Sequence, residues 1–192
     1  MRLSKNMNSR LSIGTLGPKG TSSEYSAQHY INKFLPYDLP TEIKLYNHFN
    51  LVLHSLLMDQ VGIAIVPHAY DKINEFYINP EFSLVQNYEY NTPEYGLYKL
   101  AGSKLSGSNC NIVSHPAPVN LIKYLLEHNL PEIVDYTVTF VDSTVIAANL
   151  VKTGSATLAL TNKKAAEQNS LELVAMYGEI QMGWSVFTKR KA

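Results

Sequence analysis

Four short polar segments carry most of the residue types that could do chemistry, and each directly follows an apolar run. They are Thr21-Ser22-Ser23, Pro67-His68-Ala69-Tyr70-Asp71, Ser114-His115-Pro116-Ala117-Pro118 and Thr161-Asn162. Hydroxyls, amides and imidazoles at such junctions suit a site that holds an anion and moves a proton. Histidine holds or donates a proton near neutral pH, which makes His68 and His115 the candidate general acids. The plainer reading of each is a hydrogen-bonded structural histidine. His29, His48, His54 and His128 fall within or beside helix patterns and read as surface or core-edge residues. His48 and His54 with Asp59 lack a metal-ligand spacing. No P-loop, GxGxxG or GxSxG is present, so no metal and no cofactor is expected.

The segment Gly17 to Glu24 is the sharpest of these signals. Its glycines allow a tight turn, Thr21 or Ser22 can cap the following helix, and Glu24 stands three residues after Thr21, the capping-box spacing. Amides and hydroxyls converging on a helix start make an anion site. The three arginines, Arg2, Arg10 and Arg190, all lie near the chain ends. A carboxylate ligand must therefore be held by backbone amides, hydroxyls, lysine or histidine, without an arginine fork.

The elements that would position these segments alternate between strand and helix patterns. Strands are expected at Leu11–Leu16, Glu42–Tyr46, Val61–Val66, Phe82–Tyr90, Tyr95–Leu100, Asn111–Ser114, Tyr136–Val141, Thr157–Thr161, Leu171–Met176 and Trp184–Thr188. Helices are expected after the first strand and at 47–58, 69–77, 118–128, 144–152 (capped by Ser143 and ended by Gly154) and 163–168. This alternation predicts parallel α/β sheets, and the 82–100 stretch predicts a crossing between two lobes. A cleft would then form where strand carboxyl ends meet. Lobe 1 is expected over about 11–91 and lobe 2 over about 92–189, with a chain return to lobe 1 near 162–178. Residues 1–10 read as a polar extension, and Ser103–Ser108 as a surface loop.

Whole-chain numbers exclude several classes. At 192 residues and 45% hydrophobic content the chain can bury a core. Zero formal net charge argues against nucleic-acid binding. No run of 18 apolar residues suggests a membrane span. The polar first residues lack a secretion pattern, so the expected compartment is the cytoplasm. One cysteine, Cys110, excludes an intrachain disulfide.

In order and spacing, the segments resemble the prephenate dehydratase catalytic domain over about Ile13 to Thr188. Gly17 to Ser23 matches its Gly-Pro-x-Gly-Ser/Thr-Phe-Ser loop. Val61–Pro67 matches the strand before its Pro-Ile-Glu-Asn-Ser segment, Val113–Pro116 its Ser-His-Pro-Gln, and Ser143-Thr144 with Ala147-Ala148 its Ser-Thr-x-x-Ala-Ala. The resemblance implies a two-lobed α/β fold, like periplasmic binding proteins, with the substrate between the lobes. Relatives of this fold are commonly homodimers. No regulatory ACT domain is expected in a chain of this length.

The departures resemble one branch. Where dehydratases carry Thr-Arg-Phe, this chain has Met182-Gly183-Trp184-Ser185-Val186-Phe187; His68-Ala69-Tyr70-Asp71 replaces Glu-Asn-Ser, and Ala117 replaces the glutamine. These features, with Thr92 to Leu97, Asn120 to Tyr124 and Leu160 to Asn162, are similar to the non-aromatising prephenate decarboxylases of bacilysin, aeruginosin and salinosporamide type pathways. The resemblance implies loss of the ring carboxylate with the hydroxyl retained. It also implies substrate contacts from Thr21, Ser22, Ser23, Tyr70, Ser114, Thr161, Asn162, Trp184 and Ser185, and a proton from His115 or His68. Two rival readings are a divergent dehydratase and a non-catalytic two-lobed binding module.

Overall fold

The computed structural model describes residues 10–105 and 109–191. Most of the polar N-terminal extension and half of the Ser103–Ser108 loop lie outside the described residues.

The chain forms ten strands in two sheets among the described residues. The first sheet holds β1 (Leu11–Leu16), β2 (Thr41–Tyr46), β3 (Ile63–Pro67), β4 (Phe82–Glu89) and β10 (Gly183–Lys189), in the order β2-β1-β3-β10-β4. The second holds β5 (Tyr95–Leu100), β6 (Cys110–Ser114), β7 (Tyr136–Phe140), β8 (Leu158–Asn162) and β9 (Leu171–Gly178), in the order β7-β6-β8-β5-β9. The strand at 171–178 thus belongs to the second sheet. The return to the first falls at 179–182, later than the 162–178 read from the sequence.

The sheets are mixed, not purely parallel as expected. β1, β2 and β3 run parallel, as do β6, β7 and β8. β10 is antiparallel to β3 and β4, and β5 is antiparallel to β8 and β9. Each sheet therefore has a single reversed strand, and each reversed strand is the first one after a crossing. The reason is geometric. Both crossings, 90–94 and 179–182, leave the carboxyl edge of one sheet and enter the carboxyl edge of the other, so the entering strand must run backwards. The two carboxyl edges consequently face each other. The crossings are laced together: Tyr90 N–H donates to Met182 O at 3.0 Å and Thr92 N–H to Ile180 O at 2.9 Å.

Helices cover both faces of each sheet. On the first they are α1 (Ser22–Phe34), α2 (Phe49–Leu57) and the short α3 (Asn74–Tyr77). On the second they are α4 (Asn120–Asn129), α5 (Thr144–Lys152) and α6 (Lys163–Gln168). Thr21, Ser143 and Asn162 cap their helices by accepting from the amides of Glu24, Ile146 and Ala165. The helix expected at 69–77 shrinks to α3, because Tyr70 N–H bonds Pro67 O and Ile73 N–H bonds Tyr70 O in successive turns. Separate cores lie on the two faces of the first sheet, one around Val52, Leu56, Phe76 and Phe187, the other around Ile13, Ile65 and Trp184. Leu97, Ile112, Leu125 and Leu160 anchor the main core of the second sheet.

Candidate active site

The four polar segments all sit at carboxyl edges of parallel strands, where the sheets confront each other. The Gly17–Glu24 turn after β1 is also where the two lobes touch. Gly20 has φ +90°, a conformation open to glycine, and an added Cβ would lie 2.9 Å from Gln168 Oε1 at the end of α6. Ser22 Oγ is 3.3 Å from the Tyr95 hydroxyl, and Asn162 Nδ2 donates to Gly20 O at 3.3 Å. Burial raises the Tyr95 pKa, opposed by its hydrogen bonds to Ser22 and Thr144.

The capping arrangement differs from the expected box. Thr21 Oγ1 donates to Leu16 O at 2.9 Å and accepts from Glu24 N–H at 3.4 Å. Glu24 Oε2 reaches back to the amide of Gly20, 2.6 Å away, and not to that of Thr21. The helix start therefore already holds a carboxylate of the protein's own. What remains for a ligand anion is the pair of amides at Ser22 and Ser23, which have no intrahelical partner, together with the Ser22 hydroxyl. Thr21 and Ser23 are themselves buried.

Several other sequence-selected residues spend their polar groups on the protein itself and line neither of the two cavities described below. Thr161 donates to Thr144 O at 2.7 Å, Ser114 to His115 O at 2.8 Å, and Asn162 caps α6; all three are buried. Trp184 is fully buried with its indole N–H donated to Tyr90 O at 3.0 Å. Tyr70 packs at a tilt against Phe49, 4.6 Å between ring centres, and donates its hydroxyl proton to Asn50 Oδ1 at 3.2 Å. Neither aromatic is a wall of the cavity beside His68, contrary to the expectation from sequence, because both spend their faces on their own lobe's core.

The two histidines stand on opposite lobes. His115, after β6, accepts a hydrogen bond at Nδ1 from the Ala117 amide at 3.1 Å. Its neutral form therefore carries its proton on Nε2. Burial lowers its proton affinity, while Asp142 of its own lobe and Asp71 of the other act in the opposite sense.

His68, after β3, is exposed, and its amide donates to Gly183 O at 2.9 Å. Its Nε2 lies 2.9 Å from Ser185 Oγ. Ser185 is fully buried and opposes Asn87 across the β10–β4 ladder. Its hydroxyl donates to Asn87 Oδ1 at 2.8 Å and lies 2.6 Å from the Tyr77 hydroxyl. The ring rests on Gly183, where an added Cβ would be 2.3 Å from Nδ1. A cavity of about 500 Å³ opens beside it, lined by His68, Asn87, Tyr88, Glu89, Gln181 and Met182 among others. That size is ordinary for a small-molecule site. A second hollow of about 540 Å³ lies outside the crossings, between α1 and α6. Among the described residues no group of His, Cys, Asp and Glu could hold a metal ion. Sequence reasoning missed Tyr77, Asn87 and Gly183. Asn87 is reachable only through strand register, and nothing in the sequence marks Tyr77.

No family profile matches the chain. A curated relative from Planktothrix agardhii, named prephenate decarboxylase, is 43% identical over 180 residues, covering 94% of this chain and 89% of its own. One of the same name from Bacillus subtilis is 39% identical over 183 residues, covering 93% and 87%. Among solved structures, a prephenate dehydratase from Arthrobacter aurescens in complex with L-Phe aligns with TM-score 0.69 at 16% identity, over 95% of this chain and 61% of that one. A periplasmic substrate-binding protein of an ABC transporter from Coxiella burnetii gives TM-score 0.56 at 15% identity, over 93% and 84%. At such identities the structures speak to fold alone, and that fold is the two-lobed α/β architecture described above.

Proposed function

The chain belongs to the prephenate decarboxylase family, and from that premise we propose that it expels the ring carboxylate of prephenate as carbon dioxide while the ring hydroxyl stays. The observation that carries this reading is end-to-end likeness: four prephenate decarboxylases match at 38–43% identity over 93–94% of the chain. The enzyme is then a carboxy-lyase. The bond from the quaternary ring carbon to its carboxylate breaks, the electron pair enters the ring diene, and a ring carbon takes a proton. The product is a dihydro-4-hydroxyphenylpyruvate, a precursor suited to secondary metabolism.

Retention of the hydroxyl fits the segment from Met182 to Phe187. Aromatisation needs an acid at the ring hydroxyl, and Ser185, the hydroxyl of this stretch, has already given its single proton to Asn87. The pyruvyl carboxylate is assigned to the Ser22 and Ser23 amides with the Ser22 hydroxyl. Thr21, Ser114, Thr161 and Asn162 hold the loops that carry those contacts. His68 and His115 stand at the two facing carboxyl edges, and delivery of the proton is assigned to this pair.

No helix among the described residues is long and apolar enough to cross a membrane. A cytoplasmic location and a homodimer belong to the same proposal. Incubation with prephenate tests it, with the product identified by mass and absorbance. A non-aromatic keto acid that keeps the hydroxyl is expected. Phenylpyruvate would make the protein a dehydratase, and unchanged prephenate would make it a binding module.

A further inference from the structure

Counting protons around Ser185 separates the roles of the two histidines. Ser185 Oγ has three partners, Asn87 Oδ1 at 2.8 Å, Tyr77 Oη at 2.6 Å and His68 Nε2 at 2.9 Å, but only one proton. Asn87 Oδ1 is an acceptor, so the serine proton goes there. Tyr77 must then donate its hydroxyl proton to Ser185, and His68 Nε2 must carry a hydrogen and donate as well. The serine oxygen is fully buried, so no water relieves this arithmetic. The neutral imidazole is thereby fixed as the Nε2–H tautomer, and Nδ1 is left on the Gly183 side of the ring, at the wall of the cavity of about 500 Å³.

We propose that Tyr77, Asn87 and Ser185 are positioning residues that lock the tautomer and orientation of His68, so that Nδ1 is the atom that exchanges the proton with substrate. The proposal rests on the function given above. In the step, protonated His68 keeps its Nε2–H bond to Ser185 throughout. As the carboxylate leaves and its electron pair enters the diene, the Nδ1–H bond breaks and a ring C–H bond forms. Neutral His68 remains, ready to regain a proton at Nδ1 from solvent. Glu89 is the charged side chain that shares the cavity wall, and Tyr77 is the other titratable group bound to the network.

His115 is built the opposite way. Its Nδ1 accepts from the Ala117 amide, so taking up a second proton would break that bond. It serves as a neutral Nε2–H donor to an anion and not as the acid.

The test reads tautomers directly, in full-length protein with ¹⁵N-labelled histidine, by long-range ¹H–¹⁵N correlation at alkaline pH. Wild type is expected to show His68 as Nε2–H. In the double variant Asn87→Leu/Tyr77→Phe, the Ser185 proton has only His68 Nε2 to go to. The signal should convert to the Nδ1–H form, with kcat down at least tenfold and KM little changed. Asn87→Asp keeps an acceptor for Ser185 and should hold the Nε2–H form and most of kcat. An Nδ1–H signal in wild type would overturn the proposal, as would an unchanged signal in the double variant. Loss of the Nε2–H form in Asn87→Asp would overturn it too, so the idea stays falsifiable if the double variant does not fold. These spectra need no substrate. Wild-type protein that leaves prephenate untouched would instead strike down the function, and the proton delivery with it, whatever the tautomer.

Discussion

The carboxyl edges of the two sheets offer the same ingredients, a polar segment after a parallel strand with one histidine, and use them differently. On the first sheet the His68 ring is anchored at Nε2 by a buried hydroxyl and lies against Gly183 with the other nitrogen, both residues lining the cavity. On the second, His115 is anchored at Nδ1 by a backbone amide, and burial disfavours its charged form. An amide can only donate, so it makes its histidine an acceptor and keeps it neutral. A hydroxyl whose proton is already taken can only accept, so it leaves its histidine able to carry two protons. The partner's spare bonding capacity decides which imidazole can be an acid.

The largest effect should come from the first edge. His68→Gln should lower kcat by roughly 10²–10⁴, the usual contribution of a positioned acid, with KM within a few-fold in steady-state kinetics. An equal loss of kcat in His115→Gln would break the contrast. Gly183→Ala comes next. Its methyl carbon would lie 2.3 Å from Nδ1, so the ring must move, and misplacement on that scale can cost about 10²-fold in kcat. Unaltered kinetics would mean that the ring position does not matter.

His115→Asn should cost less. Losing one hydrogen bond to a charged group removes about 1.5–3 kcal/mol, so kcat/KM should fall at least about tenfold, with the loss mostly in KM. The smallest effect is on stability. Burial lowers the proton affinity of folded His115, so below about pH 6.5 the unfolded chain binds more protons than the folded one. The stability from the neutral ring is present above that pH and is lost as pH falls through the folded value. One proton contributes at most about 1.4 kcal/mol per pH unit, roughly 3–6 °C in melting temperature for a chain of this size. Melting curves from pH 7 to pH 5 should fall less steeply for His115→Asn than for wild type. His29, also shifted down by burial and by Lys33, adds its own slope to both proteins and cancels in the difference.

What the sequence revealed was local. Thr21 and Ser143 announce their helices because a cap is a contact between residues three apart, and Lys163–Gln168 is bounded by its own capping asparagine. The four polar segments were found for the same reason, since each ends a short apolar run. What stayed hidden is non-local. The insertion of β10 between β3 and β4 joins residues about a hundred positions apart, and with it came the Asn87–Ser185 pair. Trp184 reads as a substrate contact because composition cannot say which face of a strand is covered. Register buried it and sent its N–H to Tyr90. Glu24 had the right spacing for a box, but the positive φ of Gly20 swung a different amide into its reach.

The place of β10 has a consequence for biosynthesis. Every strand of the second sheet, 95–178, is translated as one uninterrupted stretch, so that lobe can complete its pairing while the first sheet is still open. The first sheet waits with β3 and β4 unjoined until residues 183–189 clear the ribosome, and those residues bring Gly183 and Ser185. Chains stalled or clipped before about residue 183 would carry a finished second lobe beside a first lobe with a slot through it. Such a fragment would have its His68 but no seat for the ring. Adding the missing strand in trans as a synthetic peptide is a direct way to ask whether that slot can still be filled.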